Sequence, residues 1–142
     1  MPQTVEQALQ EMTIYTDNAD YVMCKLHPRA IVVAAGIIAE IADPFSTLII
    51  DKDEVTLIIR ADISGEFGKR LPEDAISTIH YRLITFDLEL EPDLIGFMAV
   101  ISRTLANAQV TIMPFAAYSR DHILVPADQF DTAMQALNAL KS

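Results

Sequence analysis

Tryptophan is absent from this chain, cysteine occurs once, glycine four times, and basic side chains number only ten in 142 residues. Each scarcity closes off a class of function. The lone Cys24 has no partner for an internal disulfide, which suits a reducing compartment and makes a cytoplasmic location the expectation. Scarce glycine leaves little material for phosphate-cradling loops: Gly65-x-x-Gly68 is too short for either nucleotide fingerprint and lies in a polar stretch. Ten Lys and Arg against twenty Asp and Glu give a net charge of −10. Such a chain repels polyanions instead of collecting phosphate contacts, so neither nucleic acid nor an anionic membrane is an expected partner. Long apolar runs are missing too. The longest, Ala30 to Ala42, contains Glu40 and falls short of the roughly 20 residues a bilayer requires. The opening segment MPQTVEQALQEM carries two acids and no basic group, unlike a secretory signal.

What is present suffices for a core: 51% of residues are hydrophobic and 21% charged, and the length suits one domain or two small ones. Val5 to Met12 has helical spacing behind Thr4, a candidate N-cap. Tyr21–Leu26 reads as a strand ended by His27-Pro28. Ala30–Ala42 is apolar except for Glu40, and a helix is favoured there over a strand. Phe45–Ile50 and Val55–Arg60 flank the turn Asp51-Lys52-Asp53-Glu54 and predict a hairpin. Thr78–Leu90 alternates as a half-buried strand, with Arg82, Ile84, Phe86, Leu88 and Leu90 on one face. Pro92 suits the first turn of a helix whose stripe is Leu94, Met98, Ile101, Leu105 and Ala108. A second hairpin, Val110–Tyr118 with His122–Val125, and a last helix opened by Asp128 complete the chain. The order predicts an α+β fold: two tandem ferredoxin-like units (βαββαβ) with antiparallel sheets and helices packed on one face. Composition turns loop-like over residues 61–78. The expected division is therefore an N-terminal unit over 1–65, a linker over 66–77 and a C-terminal domain over 78–142.

Catalysis finds little support. The three histidines share no helix at i, i+4 and no zinc-finger spacing, Cys24 sits mid-strand, and no GxSxG elbow occurs. No cofactor, metal or catalytic residue is expected. Two loops remain. Glu91-Pro92-Asp93-Leu94-Ile95-Gly96 precedes the best helix, whose N-terminus can receive a carboxylate; equally, Glu91 or Asp93 can simply cap it. The turn Tyr118-Ser119-Arg120-Asp121 offers Asp121 to a ligand cation or leaves it solvated.

Over residues 81–140 the sequence resembles an ACT domain, through Leu94, Gly96-Phe97, Leu105-Ala106, Tyr118, Asp121 and Ile123-Leu124-Val125-Pro126. The first half resembles a degenerate leading ACT unit of small tandem-ACT proteins, through Tyr21–Leu26 and the Phe45–Arg60 hairpin. The resemblance implies a regulatory module that binds an amino acid and does not catalyse. It extends to the ACT units of arginine sensors, in which the ligand touches a strand-to-helix loop and a hairpin turn. By motif position, the implied ligand residues are Asp93, Leu94, Ile95 and Gly96 with Ala117, Tyr118 and Asp121. Ala117 stands where a hydroxyl residue is common. A homodimer signalling through an unidentified protein partner is the expectation. The alternative is a ligand-free scaffold for dimerisation or partner docking.

Overall fold

The computed structural model describes residues 2–141. In chain order they form α1 (Val5–Glu11), β1 (Thr13–Tyr15), β2 (Asp20–Leu26), α2 (Ile31–Ile41), β3 (Thr47–Ile50), β4 (Val55–Arg60), β5 (Tyr81–Asp87), α3 (Phe97–Asn107), β6 (Met113–Ala116), β7 (Asp121–Pro126) and α4 (Phe130–Lys141). Contacts gather them into two units. Ala19–His80 is one; the residues up to Asn18, together with those from Tyr81 onward, are the other.

In the unit that includes the C-terminal half, the strands lie in the order β1-β5-β7-β6, every neighbouring pair antiparallel. Taken as β5-α3-β6-β7-α4 plus β1, this is the ferredoxin-like βαββαβ arrangement, with its last strand supplied from the start of the chain. The expectation placed residues 1–18 with the first unit, whereas the described residues 2–18 pack here. Thr13 opposes Asp87 and Tyr15 opposes Thr85, and Ala8 and Met12 are buried with the sheet residues Ile84, Phe86, Ile123 and Val125. The helices α3 and α4 contribute Phe97, Ile101, Leu105, Ala133 and Leu137 to the same core. Phe86 meets the Phe97 ring edge-on at 5.7 Å, a favoured aromatic geometry. α1 is only seven residues long, too short to persist alone. A capping box holds its start: Thr4 Oγ1 accepts from the Gln7 N–H, and Gln7 Oε1 accepts from the Thr4 N–H.

The expected strand Thr78–Leu90 is shorter, Tyr81–Asp87. It stops where the Leu88 N–H turns back to the Phe86 carbonyl, so Leu88 and Leu90 belong to the following loop. Its burial is not a simple alternation either, because Leu83, Ile84, Thr85 and Phe86 are all buried.

The unit Ala19–His80 has the order β2-α2-β3-β4, with strands β2-β4-β3 antiparallel. Ile37 of α2 packs on Val22, Cys24, Leu57 and Ile59. The hairpin turn is closed by the Asp51 carboxylate, which accepts the Asp53 and Glu54 N–H groups at 2.8 and 2.9 Å, a local bond that Asp makes well in turns. No second α-helix follows β4, which departs from the expected plan. Three 3-10 turns, Ala61–Glu66, Gly68–Arg70 and Glu73–Ala75, take its place. Residues 66–77, expected as a linker, are built into this unit. Leu71 is 3% exposed and joins the core with Phe67, Ala75 and Ile76. Ile76 bridges Cys24 antiparallel, and the Ser77 N–H donates to the Met23 carbonyl at 2.8 Å. Their apolar side chains follow no strand or helix period, which is why the segment looks like a loop.

Candidate functional site

β5 delivers the chain to the segment 88–96, and the β6–β7 hairpin delivers residues 117–120 beside it. The two are tied directly: the Leu90 N–H donates to the Ser119 carbonyl at 2.7 Å. Within the first loop, the Leu94 N–H returns to the Glu91 carbonyl at 3.0 Å, closing a turn over Pro92 and Asp93. The N-terminal segment braces the loop from outside. Gln3 and Glu91 exchange bonds, Gln3 N–H to Glu91 Oε2 at 3.0 Å and Glu91 N–H to Gln3 Oε1 at 2.9 Å.

α3 begins at Phe97, later than the stripe starting at Leu94 implied. The cause is Gly96, whose φ of +98° is a left-handed conformation that side chains resist. Pro92 therefore lies in the loop and not in the first helical turn. Gly96 occupies the N-cap and offers no side-chain hydrogen bond, so neither Glu91 nor Asp93 caps α3. The first-turn N–H groups of Phe97, Met98 and Ala99 thus receive no side-chain bond from the N-cap, and they sit at the positive end of the helix dipole.

These pieces surround a cavity of about 440 Å³, lined by Leu90, Glu91, Pro92, Leu94, Gly96, Phe97, Met98 and Ala99 from the loop and helix, and by residues 116–121 from the hairpin. Of the expected ligand residues, Leu94, Gly96, Ala117, Tyr118 and Asp121 lie on this wall. Asp93 and Ile95 are not on it. Ile95 is 88% exposed and Tyr118 fully so, two large side chains standing in water on the two loops. Arg120, passed over in the sequence, is also on the wall. Its Nε donates to Asp87 Oδ1 at 2.8 Å and its Nη1 to Ser119 Oγ at 3.3 Å. The signal was legible: Asp87 ends β5, and Arg120 precedes the strand that pairs with it.

The electrostatics of the wall come from burial. Asp121 is partly removed from water, which raises its carboxyl above the ordinary Asp range, with His122 pulling weakly the other way. Burial likewise holds His122 below the usual His value, and its Nδ1 lies 2.8 Å from Thr85 Oγ1. Cys24 belongs to the unit Ala19–His80. Burial pushes its thiol up to about 11, so it is protonated and unreactive at neutral pH. Among the described residues no three His, Cys, Asp or Glu side chains gather as metal ligands, and no helix is long and apolar enough to cross a membrane.

No curated protein matches the chain in sequence. Solved structures do. A Vibrio cholerae protein of unknown function, described as a possible transport protein, is similar at TM-score 0.75 and 24% identity, over 98% of this chain and 97% of that one. The regulatory subunit of aspartate kinase from Thermus thermophilus, in its ligand-free form, is similar at TM-score 0.66 and 15% identity, over 93% and 97% of the two chains. That from Thermus flavus gives TM-score 0.60 and 14% identity, over 92% and 99%. Residues 76–139 match the family model for the ACT domain. That match takes in β5, α3, both arms of the β6–β7 hairpin and nearly all of α4, and with them the whole wall of the cavity, so the cavity lies wholly within the ACT-like residues 76–139.

Proposed function

We propose that this chain is a regulatory protein without catalysis of its own, which binds a free amino acid in the cavity between the 90–96 loop and the 116–121 hairpin. One observation carries the reading. A cavity of about 440 Å³, within the usual size for small-ligand sites, has an α-helix N-terminus without a side-chain cap on one side and a partly desolvated carboxylate on the other. The α3 N–H groups suit a ligand carboxylate, and Asp121 suits an ammonium. Leu94, Gly96, Ala117 and Tyr118 complete the contacts, with Asp93 and Ile95 at the rim. An amino acid presents both charges on one carbon.

On this reading Ala19–His80 is a second, reduced ACT-type unit. Its β-α-β-β order supports that, with Ile76 standing where a fourth strand would pair with β2. The protein acts as a homodimer and passes its ligand state to a protein partner. Thermal denaturation against each of the twenty amino acids tests the proposal. A ligand present at 100 times its Kd stabilises by about 2.7 kcal/mol, and Asp121→Ala should abolish that gain. A flat panel would leave the scaffold alternative standing.

A further inference from the structure

The unit Ala19–His80 has a cavity of its own, at the end of its sheet away from the Asp51 turn. β4 reaches that end with Arg60, opposite Tyr21 near the start of β2. α2 stops there at Ala42, whose φ of +52° is left-handed, and the chain turns through Asp43 toward β3. The first of the 3-10 turns, Ala61–Glu66, follows Arg60 directly. These pieces enclose a space of about 250 Å³, with Ile41, Ile63 and Phe67 as its apolar wall and Glu40, Asp43, Arg60 and Glu66 as its charged wall.

Ion pairing within this wall leaves two carboxylates over. Arg70 holds Glu40 through both Nη groups, Nη2 to Oε1 at 3.2 Å, and its guanidinium lies 5.4 Å over the Phe67 ring. Arg60 is committed to Asp62, Nε to Oδ1 at 3.1 Å and Nη2 to Oδ2. It meets Asp43 only through Nη1, 3.5 Å from Oδ1. The other Asp43 oxygen, Oδ2, is shut off from water and accepts no hydrogen bond among the described residues. A buried carboxylate so short of donors is costly, and a cation beside it offsets that cost. Glu66 is exposed, and its carboxylate has no ion pair among the described residues.

We propose that this cavity binds a small organic dication, two primary ammonium groups joined by a short methylene chain. One ammonium is set against the Asp43 carboxylate, the other against Glu66, and the chain lies along Ile41, Ile63 and Phe67. Ammonium groups supply the charge-assisted donors that both carboxylates lack. A hard inorganic cation calls for roughly six or more oxygen ligands and has no use for the apolar wall; among the described residues no three metal-ligating side chains gather. The carboxylate of an amino acid would meet Asp43 and Glu66, with both guanidinium groups already engaged. The volume falls below that of sites for drug-sized molecules, which suits a ligand of a few carbons. Bound there, the diamine ties the end of α2 to the first 3-10 turn. The site shares no residue with the cavity proposed for the amino acid, and neither reading depends on the other.

Titration calorimetry at fixed ionic strength tests this, with α,ω-diaminobutane as the probe. Butylamine and magnesium chloride are the comparisons, because a chain of charge −10 attracts cations of every kind. Saturable one-to-one binding of the diamine is expected, with butylamine at least tenfold weaker and magnesium giving no saturable heat. Asp43→Asn and Glu66→Gln should each weaken the diamine at least tenfold, and because Glu66 is exposed its change does not act through folding. Glu73→Gln, an exposed carboxylate of the same unit outside the cavity, should leave binding unchanged. Hydrogen exchange over residues 61–67 should slow when the diamine is bound. The inference is overturned if the diamine gives no saturable heat, if butylamine or magnesium matches it, or if Glu73→Gln weakens it as much as Glu66→Gln does. Diamine binding that Asp121→Ala removes and Asp43→Asn spares belongs to the other cavity and overturns it too. A flat amino-acid panel alongside intact diamine binding defeats the proposed function and leaves this site standing.

Discussion

Gly96 decides where α3 starts. An added Cβ would sit 3.8 Å from Val5 Cγ2, an ordinary contact, so the difficulty with a side chain there is the backbone. Gly96→Ala should cost about 1–2 kcal/mol from the left-handed conformation, and Gly96→Asn less, read as the midpoint of urea unfolding. Asp121 makes an opposite case. Its carboxyl is raised by burial, so the folded protein holds that proton more tightly than the unfolded chain does. The ionised side chain therefore detracts from stability above its folded pKa, and the loss is recovered as pH falls through it. Asp121→Asn should melt higher than wild type at neutral pH, with the gap closing in acid, while losing amino-acid binding. His122, held low by burial, acts in reverse: it detracts as pH falls through the ordinary His range, near 6.5. His122→Gln should flatten that acid limb in a pH series of melting curves.

α1 depends on its ends and on what it buries. Removing the Thr4 hydroxyl by Thr4→Ala should cost about 1 kcal/mol, and hydrogen exchange should show the loss first in α1. In the core of α3, Leu105→Ala should cost about 2–5 kcal/mol, because Leu105 is fully buried and the helix cannot close over the void. The elements that were legible in the sequence are those whose own residues carry the pattern. Thr4, the stripe Ile101, Leu105 and Ala108, and the Asp51 turn each announce their conformation locally. β1 does not. Three residues, Thr13 to Tyr15, are too few for a period of two to show, and the strand exists because Phe86 and its neighbours lie opposite. The turns between residues 61 and 75 were hidden for a related reason: Phe67, Leu71 and Ala75 are buried by irregular backbone, and no fixed spacing marks them. At the site, the two loops that line the cavity were both named from the sequence, but the way Gly96 displaces the helix start was not, and Asp93 and Ile95 are not on the wall.

At the scale of the molecule, the unit carrying the cavity is discontinuous in sequence. Residues up to Asn18 supply a strand, a helix and the Gln3 brace to loop residues Glu89 and Glu91. A chain beginning at residue 19 should therefore bare the Thr85–Asp87 edge and the surface that Ala8 and Met12 cover. It should melt lower, aggregate more readily and lose the thermal response to amino acids. Adding a peptide of residues 2–18 in trans should restore part of that response. If the shortened chain behaves as wild type, the brace does not support the cavity.

The same discontinuity orders events in time. On the ribosome α1 and β1 are made before residues 19–80, yet Thr13 must wait for Asp87, and Ala8 and Met12 must wait for α3 and α4. The intervening residues 19–80 form their own core and can complete it while the earliest-made segment is still unattached. The segment made before residues 19–80 is docked after them, and until then a strand edge and an apolar helix face are open to chaperones and to neighbouring nascent chains.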